Sequence, residues 1–404
     1  MGGCVSLLEP LVVLHTVGTS FFEMAQTLVI YNRTLELSDG QSDAAQALSM
    51  RFFLFQSIIL TSCALLSMVP TNRLAARCGD RARLLCPQMG SVLGMGFLLA
   101  VLLLRLPLEV LYVGAALHGL SGGAPGFWSG VVALASLQSD RGHRTLKINT
   151  VDFCRGAAGV VGSLLSGYVY RLGQCGVALV VTAMFLVATS ILYSTFLLSF
   201  PPRPPPPAED LQPLLGQQSP GSQPSPRAAV VSVAAALVLF DVGMYGAESV
   251  LALYVLKPPL SWDSVWAGYG SAATQAMYLS SFLAVLALSS RLQDTALILL
   301  GIVSNCTGMA IMAFATHSWV YFMARAVMMF ACVPMPTLKA QLSKILDAQQ
   351  YGCVFGWLQL ALSVSNVAST AFFTLIYPLS LTWNSGLCFL LSSAISYCSV
   401  IPVL

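Results

Sequence analysis

The sequence predicts an all-α membrane protein: twelve transmembrane helices in two six-helix bundles, with both termini in the cytosol. Three observations point there. Of 404 residues, 56% are apolar and only 9% charged, and the mean hydropathy is +0.78. A soluble chain carries roughly a quarter charged residues, so this one cannot cover its surface with solvated groups, and lipid must cover it instead. Apolar runs long enough to cross a bilayer recur along the chain, and a proline-rich stretch divides them into two sets of six.

A span needs ~20 apolar residues, because the hydrocarbon is ~30 Å thick and a helix rises ~1.5 Å per residue. That rule places segments 1 to 6 near 11–31, 51–69, 84–104, 109–136, 148–170 and 175–198. Segments 7 to 12 lie near 229–255, 265–289, 295–315, 319–340, 351–377 and 384–404. Between the sets, Phe200 to Arg227 holds ten prolines together with Gln, Ser, Glu209 and Asp210. Such a stretch cannot bury a core and reads as a disordered linker with polyproline II character. The expected units are therefore a bundle over 1–200, a cytosolic linker over 201–227 and a second bundle over 228–404. Six, linker, six is the layout of a two-bundle secondary transporter.

Lysine and arginine placement assigns the sides. The loops joining segments 2–3, 4–5, 6–7, 8–9 and 10–11 hold twelve, against five in the alternate loops and helix ends. The positive-inside bias puts the first group in the cytosol. Asn32-Arg33-Thr34 is a glycosylation sequon in the first outward loop, so Asn32 is a candidate glycan site. The N-terminal apolar run has neither a basic n-region nor a cleavage site and reads as segment 1 rather than a signal peptide. Met1-Gly2-Gly3-Cys4-Val5-Ser6 fits a myristoylation pattern, but a helix already anchors the chain there.

Several function classes are disfavoured. The net charge of +3 is scattered, so nucleic acid is not an expected partner. The eleven cysteines form no CxxC pair, and His15, His118, His143 and His317 show no ligand spacing, so no metal site or cofactor is expected. There is no phosphate-binding loop, nucleophile elbow or HExxH motif, and no catalytic residue is assigned.

Charged residues inside apolar segments carry the functional signal, since each costs ~2.5–3.5 kcal/mol to insert at the bilayer centre. They are Glu23 in segment 1, Asp152 and Arg155 in segment 5, Asp241 and Glu248 in segment 7, and Arg325 in segment 10. Asp241 and Glu248 are two turns apart and share a helix face. Asp152 and Arg155 are three apart and can pair, either as a structural ion pair or as part of a site. Arg325 can neutralise Glu248. Asp241 has no evident basic partner at its depth, which makes it the proton-binding candidate. In a six-plus-six carrier, segments 1, 4, 7 and 10 line the central cavity, and four of these six charges lie on three of them. Glycines in segments 4 and 5 read mainly as close-packing devices. Pro125, Pro334 and Pro336 are expected to kink segments 4 and 10. Trp128, Tyr245, Tyr269 and Tyr278 are candidate cavity aromatics, although packing alone would account for any one of them.

Specific stretches then resemble a known family. Leu74-Ala75-Ala76-Arg77-Cys78-Gly79-Asp80-Arg81 looks like a degenerate major facilitator signature loop, with Ala76 at its usual acidic position. Pro258-Pro259-Leu260-Ser261-Trp262-Asp263, Gly268-Tyr269-Gly270-Ser271 and Leu342-Ser343-Lys344-Ile345 resemble solute carrier family 46, which includes the proton-coupled folate transporter. Phe127-Trp128-Ser129-Gly130-Val131 and Ala324-Arg325-Ala326-Val327-Met328 look most like that family's thymic stromal cotransporter branch. The resemblance implies the major facilitator fold at the plasma membrane or an endolysosomal membrane. It also implies proton-linked movement of organic anions, with folates and peptidoglycan fragments as the kinds of cargo. Asp152 and Lys339 fall where the folate carrier has functional charges. Segment 7 lacks that carrier's histidine, and Ser261 stands where a loop cysteine would form a disulfide.

The expected function is therefore proton-coupled symport of a small organic anion by alternating access, with protons, the solute and lipid as partners. Glu23, Asp152, Arg155, Asp241, Glu248, Arg325 and Lys339 are the substrate or coupling candidates. Arg77, Gly79, Asp80 and Arg81 form the signature loop. The alternative is a receptor or chaperone-like pseudotransporter that keeps the fold and moves nothing.

Overall fold

The computed structural model describes residues 8–78, 80–137, 144–173, 176–198, 227–288, 291–345, 348–380 and 386–403. The first half holds α1 (Glu9–Leu37), α2 (Ser42–Cys78), α3 (Asp80–Leu104), α4 (Val110–Leu120), α5 (Gly123–Leu137), α6 (Arg144–Gly173) and α7 (Val177–Phe196). The second holds α8 (Arg227–Tyr254), α9 (Ser264–Leu288), α10 (Asp294–Met312), α11 (Ser318–Val327), α12 (Pro334–Ile345), α13 (Ala348–Ser380) and α14 (Leu387–Cys398). Each of the twelve expected segments holds helix, and no strand occurs among the described residues. Eight helical stretches are long and apolar enough to cross a membrane by length and composition. The proline-rich linker up to position 226 and the N-terminal Met1–Ser6 pattern lie outside the described residues.

Two segments are divided, and the causes differ. Segment 4 breaks into α4 and α5 at Gly122 (φ 107°) and Gly123 (φ 57°), a left-handed backbone that glycine adopts without a Cβ clash. The sequence pointed to Pro125 instead. Pro125 lies in the first turn of α5, where its missing N–H has no intrahelical partner to lose. Segment 10 breaks at a 3-10 turn, Met328–Phe330, and resumes at Pro334, the first residue of α12. At that break α10 comes so close that a Cβ on Gly301 would stand 2.4 Å from the Pro334 ring. The loop expected between segments 2 and 3 is nearly all helix, since α2 reaches Cys78 and α3 starts at Asp80.

Within the first half, α1 packs on α6 and α7, and α3 packs on α4, α5 and α7. Within the second, α8 packs on α12, α13 and α14, and α10 packs on α11, α12 and α14. Two pairs carry most of the contact between halves: α6 with α9, and α2 with α13. The α6–α9 pair bears out the glycine reading. A Cβ on Gly167 would stand 2.4 Å from the Ser264 carbonyl oxygen, so only glycine permits this approach.

The halves also meet where α1 turns into α2, the end that charge placement assigns to the outside. Lys257 pairs with Asp43 there. The Gln46 amide donates to the Leu253 carbonyl at 2.6 Å, and its oxygen accepts from the Tyr377 hydroxyl at 2.7 Å. Gln46 and Tyr377 are both fully buried. Tyr31, Ala45 and Met50 of the first half join the apolar core of α8, α11, α13 and α14 around these polar contacts.

Candidate functional site

Between the halves lies a cavity of about 970 Å³, walled by α1, α6, α8 and α9 together with residues near the segment 10 break. Its charged lining is Glu23 from α1, Asp152 and Arg155 from α6, and Asp241 and Glu248 from α8. Five of the seven charges singled out in the sequence therefore line one cavity. Asp241 and Glu248 do face the same way, because seven residues make nearly two full turns. Each keeps one buried carboxyl oxygen, Oδ2 of Asp241 and Oε1 of Glu248, without a hydrogen-bond partner among the described residues. The other oxygen of Glu248 accepts from the Tyr278 hydroxyl at 3.3 Å.

The cations are arranged differently from what spacing suggested. Asp152 and Arg155 form no ion pair among the described residues. The Arg155 guanidinium instead lies over the Trp128 ring, 4.2 Å from its centroid. That stacking occupies the face of the guanidinium and leaves its in-plane N–H groups free to donate. Arg325 forms no ion pair with Glu248 among the described residues. It is 4% exposed and sits behind the wall, donating to the Tyr321 hydroxyl and the Met277 sulfur, both at 3.3 Å. Its Nη2 has no hydrogen-bond partner among the described residues. Lys339 acts electrostatically on Asp241 but lines neither this cavity nor the smaller one beside it. Arg155 is therefore the cation that the described cavity surface presents.

The aromatics divide. Tyr245 and Tyr278 line the central cavity, and Trp128 lines the smaller one. Tyr269 lines neither; its hydroxyl pairs with that of Tyr168, joining α9 to α6, and its ring packs edge-on against Trp266. Of the signature loop, Gly79 and the side chains of Arg77 and Asp80 lie outside the described residues, while Arg81 stands exposed at the start of α3. Asn32 is not in a loop. It belongs to α1 and donates to the Tyr170 hydroxyl at 3.1 Å, and Thr34 of the sequon is buried and hydrogen-bonded to Ser49. No cluster able to hold a metal is found among the described residues. Spacing missed His15, His118, Gln26, Gln56 and Gln275. The available signal was uncharged polar side chains within apolar runs, which are cheaper to insert than charges and stand out less.

Residues 11–370 match the family model for the Major Facilitator Superfamily. Solute carrier family 46 member 2 of Canis lupus familiaris is 33% identical over 390 residues, covering 89% of this chain and 81% of that protein. The chain belongs to solute carrier family 46. The proton-coupled folate transporter of Rattus norvegicus is also similar, 29% identical over 335 residues, 81% of this chain and 72% of the relative. Among solved structures, the POT family transporter PepTSo superimposes with a TM-score of 0.69 at 13% identity, covering 98% of this chain and 96% of the other. That likeness concerns the fold alone. Membership in solute carrier family 46 makes the protein a multi-pass membrane transporter rather than an enzyme, and makes the cavity between its halves the candidate solute site.

Proposed function

We propose that this family 46 protein is a proton-coupled symporter of a small organic anion, working by alternating access at the plasma membrane or an endolysosomal membrane. One observation carries the reading. Two carboxyl groups, Asp241 and Glu248, share a cavity wall, and each keeps a buried oxygen without a hydrogen-bond partner among the described residues. Glu23 and Asp152 add two more carboxyls, against the single cation Arg155 on the same surface. Like charges in a poorly solvated site repel, and binding a proton relieves that repulsion most directly. Arg155 then attracts the anionic group of the cargo by charge-assisted hydrogen bonds.

The chain of events follows from this charge balance. Proton uptake at Asp241 or Glu248 lowers the negative potential of the cavity, so that an anion can enter beside Arg155. Closure around the neutralised site and opening on the opposite side complete the cycle. The buried contacts of Gln46, together with the Asp43–Lys257 pair, join the halves at the α1–α2 end, which is the outer side under the adopted topology, and so support reading this arrangement as inward-open. The twelve-span layout and cytosolic termini remain the topology we adopt.

The test is initial uptake of a radiolabelled organic anion into proteoliposomes against external pH, for wild type and Asp241→Asn. Asparagine mimics the protonated carboxyl. Wild-type uptake is expected to rise as pH falls from about 7.5 to 5, and that slope to flatten in the variant while transport persists. Equal slopes would remove Asp241 from coupling and turn attention to Glu23, Asp152 or Glu248. Absence of saturable flux with any anion would favour a pseudotransporter.

A further inference from the structure

Arg155 stands among carboxyl groups, yet it forms an ion pair with none of them among the described residues. Asp152 precedes it by three residues on α6, a spacing at which opposite charges on a helix meet. Glu23 of α1 lines the same two cavities as Arg155, the central one and a smaller one of about 340 Å³ inside the first half. Both carboxyl groups act electrostatically on the guanidinium. An unrestrained arginine in such company closes on a carboxylate through paired, charge-assisted hydrogen bonds. A restraint on Arg155 is therefore needed.

Trp128 of α5 supplies one. Cζ of Arg155 lies 4.2 Å from the centroid of its indole. The indole is braced in turn by two rings. Phe127 meets it edge-on at 5.2 Å, and His15 of α1 does so at 6.4 Å. The two braces are themselves stacked on each other at 3.7 Å. Phe127 is 1% exposed and His15 4%, and Phe127 belongs to the apolar core that joins α1, α3, α5 and α6. Rings held in a close-packed core keep their orientation, so the platform under Arg155 is stiff. Stacking fixes the plane of a guanidinium without consuming any of its N–H donors, whereas an ion pair would consume them.

We propose that Trp128 is the positioning residue of the anion site, with Phe127 and His15 as its braces. The indole holds Arg155 off Glu23 and Asp152 and turns its donor edge to the cavity, where a solute anion can take both donors. The inference rests on the reading of Arg155 as the cation that receives the cargo. It adds the reason why the protein's own carboxylates do not occupy that cation first.

Phenylglyoxal tests the placement without any cargo. The two carbonyl carbons of this reagent bond to two nitrogens of one guanidinium, so an arginine whose donor edge is covered by a carboxylate reacts slowly. The rate of modification of Arg155 is read by peptide mass spectrometry on the purified full-length protein, with exposed Arg105 as the internal reference. Trp128→Leu is expected to slow the reaction at least about fivefold, because the freed guanidinium pairs with a carboxylate. Adding Glu23→Gln and Asp152→Asn is expected to restore the wild-type rate. Trp128→Phe keeps an aromatic face and is expected to stay within about twofold of wild type. With Trp128 in place, the same two carboxyl changes are expected to leave the rate as it was. That arm needs no substitution at Trp128, so it still decides if Trp128→Leu does not fold. The proposal is overturned if Arg155 in Trp128→Leu reacts as fast as in wild type, or if the carboxyl changes fail to restore its rate. It is equally overturned if those changes speed the reaction while Trp128 is present. Labelling is read without flux. The expected rates in a protein that moves no anion would keep the placement and remove the carrier reading, so the two failures are distinguishable.

Discussion

The Tyr377 hydroxyl donates to Gln46 Oε1 at 2.7 Å, tying α13 of the second half to α2 of the first in a buried setting. The other end of the same amide donates to the Leu253 carbonyl of α8. One uncharged side chain thus fastens three helices from both halves at the end where Asp43 pairs with Lys257. The carrier cannot open at that end without breaking these contacts.

The first prediction concerns this latch. Asp43→Cys combined with Lys257→Cys places two thiols at a contact between the halves, and oxidation is expected to arrest transport until a reductant restores it. Tyr377→Phe removes one neutral hydrogen bond, ~0.5–1.5 kcal/mol, and leaves Gln46 partly unsatisfied. It is expected to increase maleimide labelling of a cysteine introduced at position 50 from the outside. Full transport by the oxidised double variant would show that this contact does not have to open.

Arg155 is the next residue to change. A charge-assisted hydrogen bond contributes ~1.5–3 kcal/mol, so Arg155→Ala is expected to raise the KM for an anionic cargo roughly 10- to 100-fold. Arg155→Lys keeps the charge but loses the planar stack on Trp128, and is expected to recover only part of the affinity. An unchanged KM in Arg155→Ala would contradict the assignment of Arg155 as the anion-binding cation.

Arg325 has a different role from Arg155 because it is buried behind Tyr321. Removing it takes away the positive charge that acts on the buried Glu248, and breaking such a balance costs ~3–5 kcal/mol. Arg325→Met is expected to depress the amount of folded protein recovered from membranes. Adding Glu248→Gln is expected to restore much of it by removing the charge left uncompensated. The comparison is the monodisperse yield of the single and double variants, and no rescue by the second change would break the link.

Sidedness has its own test. The linker over 201–227 is expected to be cleaved by protease only after cells are permeabilised, while a cysteine at Asp39 is expected to react from outside intact cells. Cleavage in sealed cells would reverse the topology. Asn32 is a separate matter. Its place inside α1, with Thr34 buried against Ser49, makes it a poor acceptor once folded, so any glycan must be added to the nascent chain. Endoglycosidase treatment of wild type and Asn32→Gln reads this directly.

Composition and apolar run length determined the membrane class and the helical segments, because a bilayer leaves few other ways to satisfy the backbone. Helical period determined that Asp241 and Glu248 share a face, since that depends only on geometry within one helix. Relationships between helices were not legible in the same way. Spacing paired Asp152 with Arg155, yet the partner of Arg155 is Trp128, a residue of another helix. Spacing also could not tell that Arg325 points behind the wall and Arg155 into it, because orientation depends on how α11 is rotated against its neighbours. The break in segment 4 fell at Gly122 and Gly123 rather than Pro125, since a proline in the first turn of a helix disturbs nothing. Gln46, Tyr377, His15 and Gln56 looked like ordinary residues of apolar runs. Only tertiary packing brought residues more than 300 positions apart into one latch and left three neutral amides facing one cavity, because side-chain contacts between remote helices depend on packing that no local pattern encodes.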